Sequence, residues 1–172
     1  MLCAASGGGE GVADWLIDAR RFVAERAVLE GQVPAGLLSR LCEEVEEPPA
    51  PFKVRVEGLR SPRGKDGLVL TLEGRVRLIC QRCMKPVDLE LSPTARFELV
   101  STEAELDADE DDEWDPLMAA ERLDLLPVIE DELLLALPYA PMHDRCEPVG
   151  RLEAGERVMP FAALGALKKS RP

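Results

Sequence analysis

Residues 75–91 read RVRLICQRCMKPVDLEL, and this stretch decides the fold. Val76, Leu78 and Cys80 alternate with Arg75 and Arg77, and beyond the Cys-x-x-Cys formed by Cys80 and Cys83, Val87, Leu89 and Leu91 alternate with Asp88 and Glu90. Successive side chains of a strand leave opposite faces of the pleat, so period-two alternation predicts strands. Two strands therefore meet at a short knuckle, Gln81 to Pro86, with two thiols and the cations Arg82 and Lys85 at its tip.

Working outward, one apolar face persists on the even positions from Leu68 to Cys80, with Gly74 placed for a bend or bulge. Val87 to Val100 keeps an odd-position apolar phase that Pro93 interrupts, as suits a bulge or an edge. Phe52, Val54 and Val56 alternate with Lys53, Arg55 and Glu57 to predict a further strand, and Ser61–Gly67 is rich in turn residues. Pro34 followed by AGLLSRLCEEVEE predicts a helix that carries Cys42 as a small buried residue. Residues 18–30 fit an extended segment or a short helix leading into one. Asp124 is placed to cap a helix running from Leu125 to about Leu137, where Pro138 stops it. The expected fold is α+β: an antiparallel meander of about four to six strands with helices packed on one side.

The 172 residues suffice for one domain with a real core, expected over residues 13–172, with the Gly-rich residues 1–12 disordered. Apolar residues make up 46% and aromatics only 4%, so Leu, Val, Ala and Ile must build that core. No apolar run reaches the roughly 20 residues of a membrane span, and the N-terminus lacks the basic start of a signal peptide. A cytoplasmic protein with reduced thiols is the expectation. The net charge of −12 is uneven: residues 101–116 hold nine carboxylates and no cation, whereas residues 51–100 hold ten cations against six carboxylates. The acidic total argues against simple coating of a nucleic-acid backbone. Residues 101–116 are expected as a solvated loop, or as a docking segment for a basic protein with Trp114 as its anchor.

The sharpest constellation is Cys80-x-x-Cys83 with His143-x-x-Cys146, which includes the only histidine of the chain. Tetrahedral zinc takes four such N/S ligands, delivered as two close pairs. The alternatives are a partly buried cluster without metal and a reversible disulfide. A thioredoxin-type site fits poorly, because a second strand rather than a helix follows the cysteines. A second constellation is cationic: Arg75 and Arg77 on the strand, Arg82 and Lys85 at the tip, and Arg55 on the neighbouring strand. Guanidinium groups suit phosphate, which makes Arg75, Arg77, Arg82 and Lys85 the RNA-contact candidates. The competing expectation is a solvated sheet face with ion pairs to Glu57, Glu73 or Asp88, since no aromatic interleaves the cations. Enzyme signals are thin. There is no Gly-rich phosphate loop, and Glu130, Asp131 and Glu132 leave a helix in different directions.

Three blocks, ICQRCMKPVDLEL (79–91), LDLLPVIEDELLLALPYAPMHDRCE (123–147) and MPFAALGALKK (159–169), together resemble the large ribosomal RNA subunit accumulation protein family, YceD. The resemblance runs from roughly Asp18 to Lys169. Cys80, Arg82, Cys83 and Pro86 match its cysteine block, Asp124, Leu125, Glu130, Glu132, Leu135, Leu137 and Pro138 its helix block, Cys146 a later cysteine, and Pro160 and Phe161 the last block. The chain departs in its Gly-rich start and in a short link between Cys146 and Pro160. The resemblance implies a non-enzymatic factor for synthesis, processing or accumulation of the large-subunit (23S) ribosomal RNA. It would act through contact with the precursor RNA or a pre-ribosomal particle, without a membrane or small-molecule substrate. The alternative is an acidic adaptor for a basic large-subunit ribosomal protein or an RNA-processing partner.

Overall fold

The structure, a computed structural model, describes residues 14–106 and 113–149. In chain order its elements are β1 (Leu16–Ile17), α1 (Ala19–Ala24), β2 (Val28–Val33), a 3-10 turn (Ala35–Leu37), α2 (Ser39–Glu44), β3 (Phe52–Arg60), β4 (Asp66–Ile79), β5 (Pro86–Leu91), β6 (Thr94–Val100), α3 (Glu103–Leu106), β7 (Asp115–Met118), β8 (Leu123–Asp124) and α4 (Leu125–Leu135). The main sheet has six strands in the order β2-β3-β4-β6-β7, with β5 also paired to β4; β1 and β8 form a separate small pair. This is the expected, mostly antiparallel α+β arrangement. The exception is β7, which runs parallel to β6.

The long β4 organises the sheet. Its partners β5 and β6 hold one register along it, from Ile79↔Pro86 through Gly74↔Leu91 to Gly67↔Glu98. Ser92 and Pro93 only interrupt this second strand of a single hairpin; Pro93 lacks an N–H, but its carbonyl still accepts from Leu72 N at 3.0 Å. The half of the hairpin nearer its ends is wedged between β3 and β7, while the other half projects as a two-stranded arm that carries the Cys-x-x-Cys tip. Gly74 marks the junction. The Phe52 ring lies against it so closely that a Cβ there would meet Phe52 Cδ1 at 2.1 Å, so the glycine at this position admits a ring.

The even positions of β3 and β4 face the core: Phe52, Val54, Val56, Leu68, Leu70, Leu72, Val76 and Leu78 are all buried. Helix α1 lies on this face, its backbone close against Gly58. Helix α4 supplies Leu125, Ile129 and Leu133 to the same core. Its cap is Asp124, which accepts from Leu126 N at 3.0 Å. The expected helix after Pro34 is shorter than its apolar spacing suggested. It divides into the 3-10 turn and α2, broken at Leu38, whose φ of −115° is not helical. Cys42 stands in α2, half-buried rather than fully buried.

Residues 18–30 resolve into α1 and the first half of β2, which supplies an edge strand. The expectations for residues 1–12 and for Pro160 and Phe161 lie outside the described residues. Of the acidic stretch, α3 and β7 are ordered flanks, and Trp114 is 5% exposed with its ring against Gly67. Trp114 thus anchors the chain to its own sheet and is not a free anchor for a partner. Among the described residues no helix is long and apolar enough to cross a membrane.

Candidate metal centre and its rim

The knuckle at the end of the arm is a closed turn. Cys80 N donates to Lys85 O at 2.9 Å, and Met84 N donates to Cys80 O at 2.9 Å. Met84, directly after the second cysteine, takes a φ of 57°, a left-handed conformation that L-residues visit singly and that turns the chain back towards β5. The segment after α4 then crosses the tip. Gln81 N donates to Pro141 O at 2.8 Å, and Val149 N donates to Arg82 O at 3.1 Å. Between these two tethers lie His143 and Cys146.

The four predicted residues are thereby brought together: the ligand atoms of Cys80, Cys83, His143 and Cys146 all lie within 4.8 Å of one another. Cys80 Sγ is 3.8 Å from Cys146 Sγ, and Cys83 Sγ is 3.3 Å from His143 Nδ1. The three thiols are free, not joined in a disulfide. On its other side, His143 Nε2 is 3.0 Å from Pro86 O. With Nε2–H donated to that carbonyl, Nδ1 carries the lone pair that faces the thiols, the orientation a ligating histidine needs. Burial alone would push the Cys80 thiol up. The backbone N–H groups of Cys83, His143 and Arg82, with the His143 side chain, instead draw it down from 9.0 to about 5. Cys146 moves the opposite way, raised by burial and by the adjacent Cys80 and Cys83 sulfurs. Three sulfurs and an imidazole nitrogen brought this close together form a group that could hold a metal ion.

The cationic candidates separate into two sets. Arg75 pairs with Glu90, and Arg77 pairs with Asp88 at 2.6 Å and Glu47 at 2.8 Å. Arg55 pairs with Glu30 and Glu57. Asp88 is held below its usual range by the hydrogen bond from Arg77. Each of these cations lies opposite a carboxylate on the next strand, the cross-strand pairing that period-two spacing permits. At the tip, Arg82 and Lys85 form no ion pair among the described residues; the Arg82 guanidinium reaches only Met142 Sδ, at 3.6 Å. Arg145, between the two tail ligands, is exposed and likewise without a carboxylate partner. It was not singled out from the sequence, although its place between His143 and Cys146 was visible there.

Fold and centre together define a mostly antiparallel α+β protein with a Cys3His cluster at the end of a hairpin arm. Residues 68–168 match the family model described as Large ribosomal RNA subunit accumulation protein YceD, and the chain belongs to that family. It is 29% identical over 161 residues to the Large ribosomal RNA subunit accumulation protein YceD of Haemophilus influenzae, a match covering 81% of this chain and 86% of that protein. No solved structure matches the chain.

Proposed function

We propose that this chain is a cytoplasmic, non-enzymatic factor for accumulation of the large-subunit ribosomal RNA. In this reading it acts by contact with the precursor RNA or a pre-ribosomal particle, and a zinc ion builds its working tip. The family name supplies the process. The observation that carries the rest is the convergence of Cys80, Cys83, His143 and Cys146 at the end of the arm.

The donor set fits zinc. Thiolates bound at about 2.3 Å in a tetrahedron stand about 3.8 Å apart, and Cys80 Sγ and Cys146 Sγ are 3.8 Å apart. A full set of four protein ligands leaves no open position for substrate or water, so the metal's contribution is structural. It would fasten the His143–Cys146 segment to the knuckle. The sheet arginines Arg75 and Arg77 are occupied by carboxylates, which leaves Arg82 and Lys85 as the stronger RNA candidates of the original four.

Two measurements test this reading. Elemental analysis of untagged protein purified without chelator should find about one zinc per chain, lost in Cys83→Ser. Cells depleted of the protein should show a fall in large-subunit relative to small-subunit ribosomal RNA. The wild-type chain should restore the ratio and Cys83→Ser should not. No metal in the wild type would refute the zinc tip, and an unchanged RNA ratio on depletion would refute the function.

A further inference from the structure

Beside the Cys/His cluster lies an open cleft of about 570 Å³, lined in part by Cys83, His143 and Cys146 of that cluster. Lys85 and Arg145 flank it, with Glu147, Pro148 and Val149 lining the rest. We propose that this cleft receives a nucleotide of single-stranded RNA. Lys85 and Arg145 would hold its phosphate, the Pro148–Val149 wall would take the base, and Tyr139 would offer a stacking platform for a neighbouring base. This rests on the reading of the chain as a factor for ribosomal RNA, and it names the form of RNA and the surface that takes it.

Three observations converge on this end of the molecule. The first is charge: the sheet cations Lys53, Arg55, Arg75 and Arg77 are each paired with a carboxylate, whereas Lys85 and Arg145 pair with none among the described residues. Unpaired cations can meet phosphate without first giving up a partner. The second is apolar exposure. Of seven large apolar residues exposed among the described ones, four (Met84, Tyr139, Met142 and Val149) belong to the knuckle or to the segment after α4 that crosses it. Tyr139 is fully exposed, at 104%, and lies two residues ahead of Pro141, which is tied to the knuckle at Gln81. A Tyr ring in water is a surface on which an unpaired base can stack, which a base inside a duplex cannot do. The third is size: a cleft of about 570 Å³ is of the scale of a single nucleotide rather than of an RNA duplex.

Asp144 and Glu147 stand in the same segment, and both are exposed. They limit the electrostatic attraction, so the site should be modest in salt dependence and should gain affinity when Glu147 is neutralised.

The test uses the full chain with its zinc content measured, and two labelled probes: an unstructured RNA of roughly 12 nucleotides and an RNA duplex of the same length. Fluorescence anisotropy at about 50 mM salt should show preference for the single strand. Lys85→Ala with Arg145→Ala should weaken binding about tenfold or more and reduce the log–log salt slope by about 0.7, for the one phosphate they hold. Tyr139→Ala should weaken it about fivefold or more, and Glu147→Gln should tighten it. Lys53→Ala, at a sheet cation paired with Glu73, should leave it unchanged. Unchanged zinc content in each variant shows that the tip still folds. Equal affinity for duplex, or undiminished binding in the Lys85/Arg145 variant, overturns the proposal. No single-strand binding by the wild type also overturns it and points to a protein on this surface. If large-subunit ribosomal RNA still depends on the chain in that last case, this inference falls while the proposed function stands.

Discussion

Glu130 on α4 closes the N-terminal turn of α2 through Arg40: Glu130 Oε1 accepts from Arg40 N at 2.7 Å, and Oε2 accepts from Arg40 Nε at 2.8 Å. The same Oε1 accepts from Leu41 N at 3.2 Å. The carboxylate is 7% exposed and supplies the cap that α2 lacks, since its own N-cap residue, Leu38, has no side-chain oxygen to offer. Glu130 therefore fastens α2 to α4 by satisfying backbone N–H groups that would otherwise be orphaned. Glu130→Ala should lower stability by about 2–3 kcal/mol, from the unmet buried N–H groups. Glu130→Gln, which keeps an acceptor, should lose clearly less. Urea unfolding of the two variants checks the order; equal losses would mean that the cap contributes nothing.

A second buried carboxylate ties the β3–β4 loop to the sheet. Glu98, fully buried on β6, is reached by Arg63 at 2.9 and 2.7 Å and by Lys65 at 3.2 Å. Burial would raise its pKa, but hydrogen bonds from Arg63, Ser61 and Lys65 outweigh that and hold it below 4.5. A carboxylate with a depressed folded pKa contributes stability that is present above its unfolded value and lost as pH falls through its folded one. The stability gap between wild type and Glu98→Gln should thus be constant near neutral pH and shrink only below about pH 4.5. Denaturant titrations across that range check it. A gap that stayed constant down to pH 3 would show that Glu98 is not held ionised by its partners.

The hairpin junction yields a steric prediction. Phe52 is fully buried and its ring occupies the space that a Cβ on Gly74 would need. Gly74→Ala should cost about 1–3 kcal/mol, because a close-packed core cannot move the ring without opening a gap elsewhere. Gly74→Ala combined with Phe52→Leu should recover part of that loss, since the two residues contend for one volume. A double variant whose loss is the plain sum of the single ones would exclude this contention.

These three contacts show where the sequence was legible. The alternation of residues 75–91, the Cys-x-x-Cys tip and the cap at Asp124 are local patterns, and β4, β5, the knuckle and α4 formed where those patterns placed them. Gly74 and Pro93 announced interruptions, but the partner that fills the one and the register that runs unbroken past the other depend on chain distant in sequence. The parallel return of β7 and the burial of Trp114 were hidden for the same reason, because charge dominates the stretch that carries them. At the site, the ligand types and their pair spacing pointed to one cluster. Which cations are free could be read only from the pairing register, because Arg75 and Lys85 look alike until Glu90 is found beside Arg75.

If the tip holds the proposed zinc, its removal should act locally rather than globally. The tail segment 139–149 is held to the arm by the tethers at Gln81 and Arg82 and by the cluster itself, whereas the core around Phe52, Leu72 and Ile129 lies in the sheet and helices. Under that proposal, three sulfurs and an imidazole crowded within 4.8 Å would lose the ion that offsets their mutual repulsion. The knuckle and tail should then open, while the sheet keeps its hydrogen bonds. Hydrogen exchange after treatment with a strong zinc chelator should accelerate at the amides of Gln81, Met84 and Val149 and leave those of Val54, Val56 and Leu70 protected. Cys83→Ser should reproduce this pattern without chelator. Global loss of protection on chelation would show that the metal supports the whole fold, and no change at Gln81 or Val149 would show that it does not hold the tail at all.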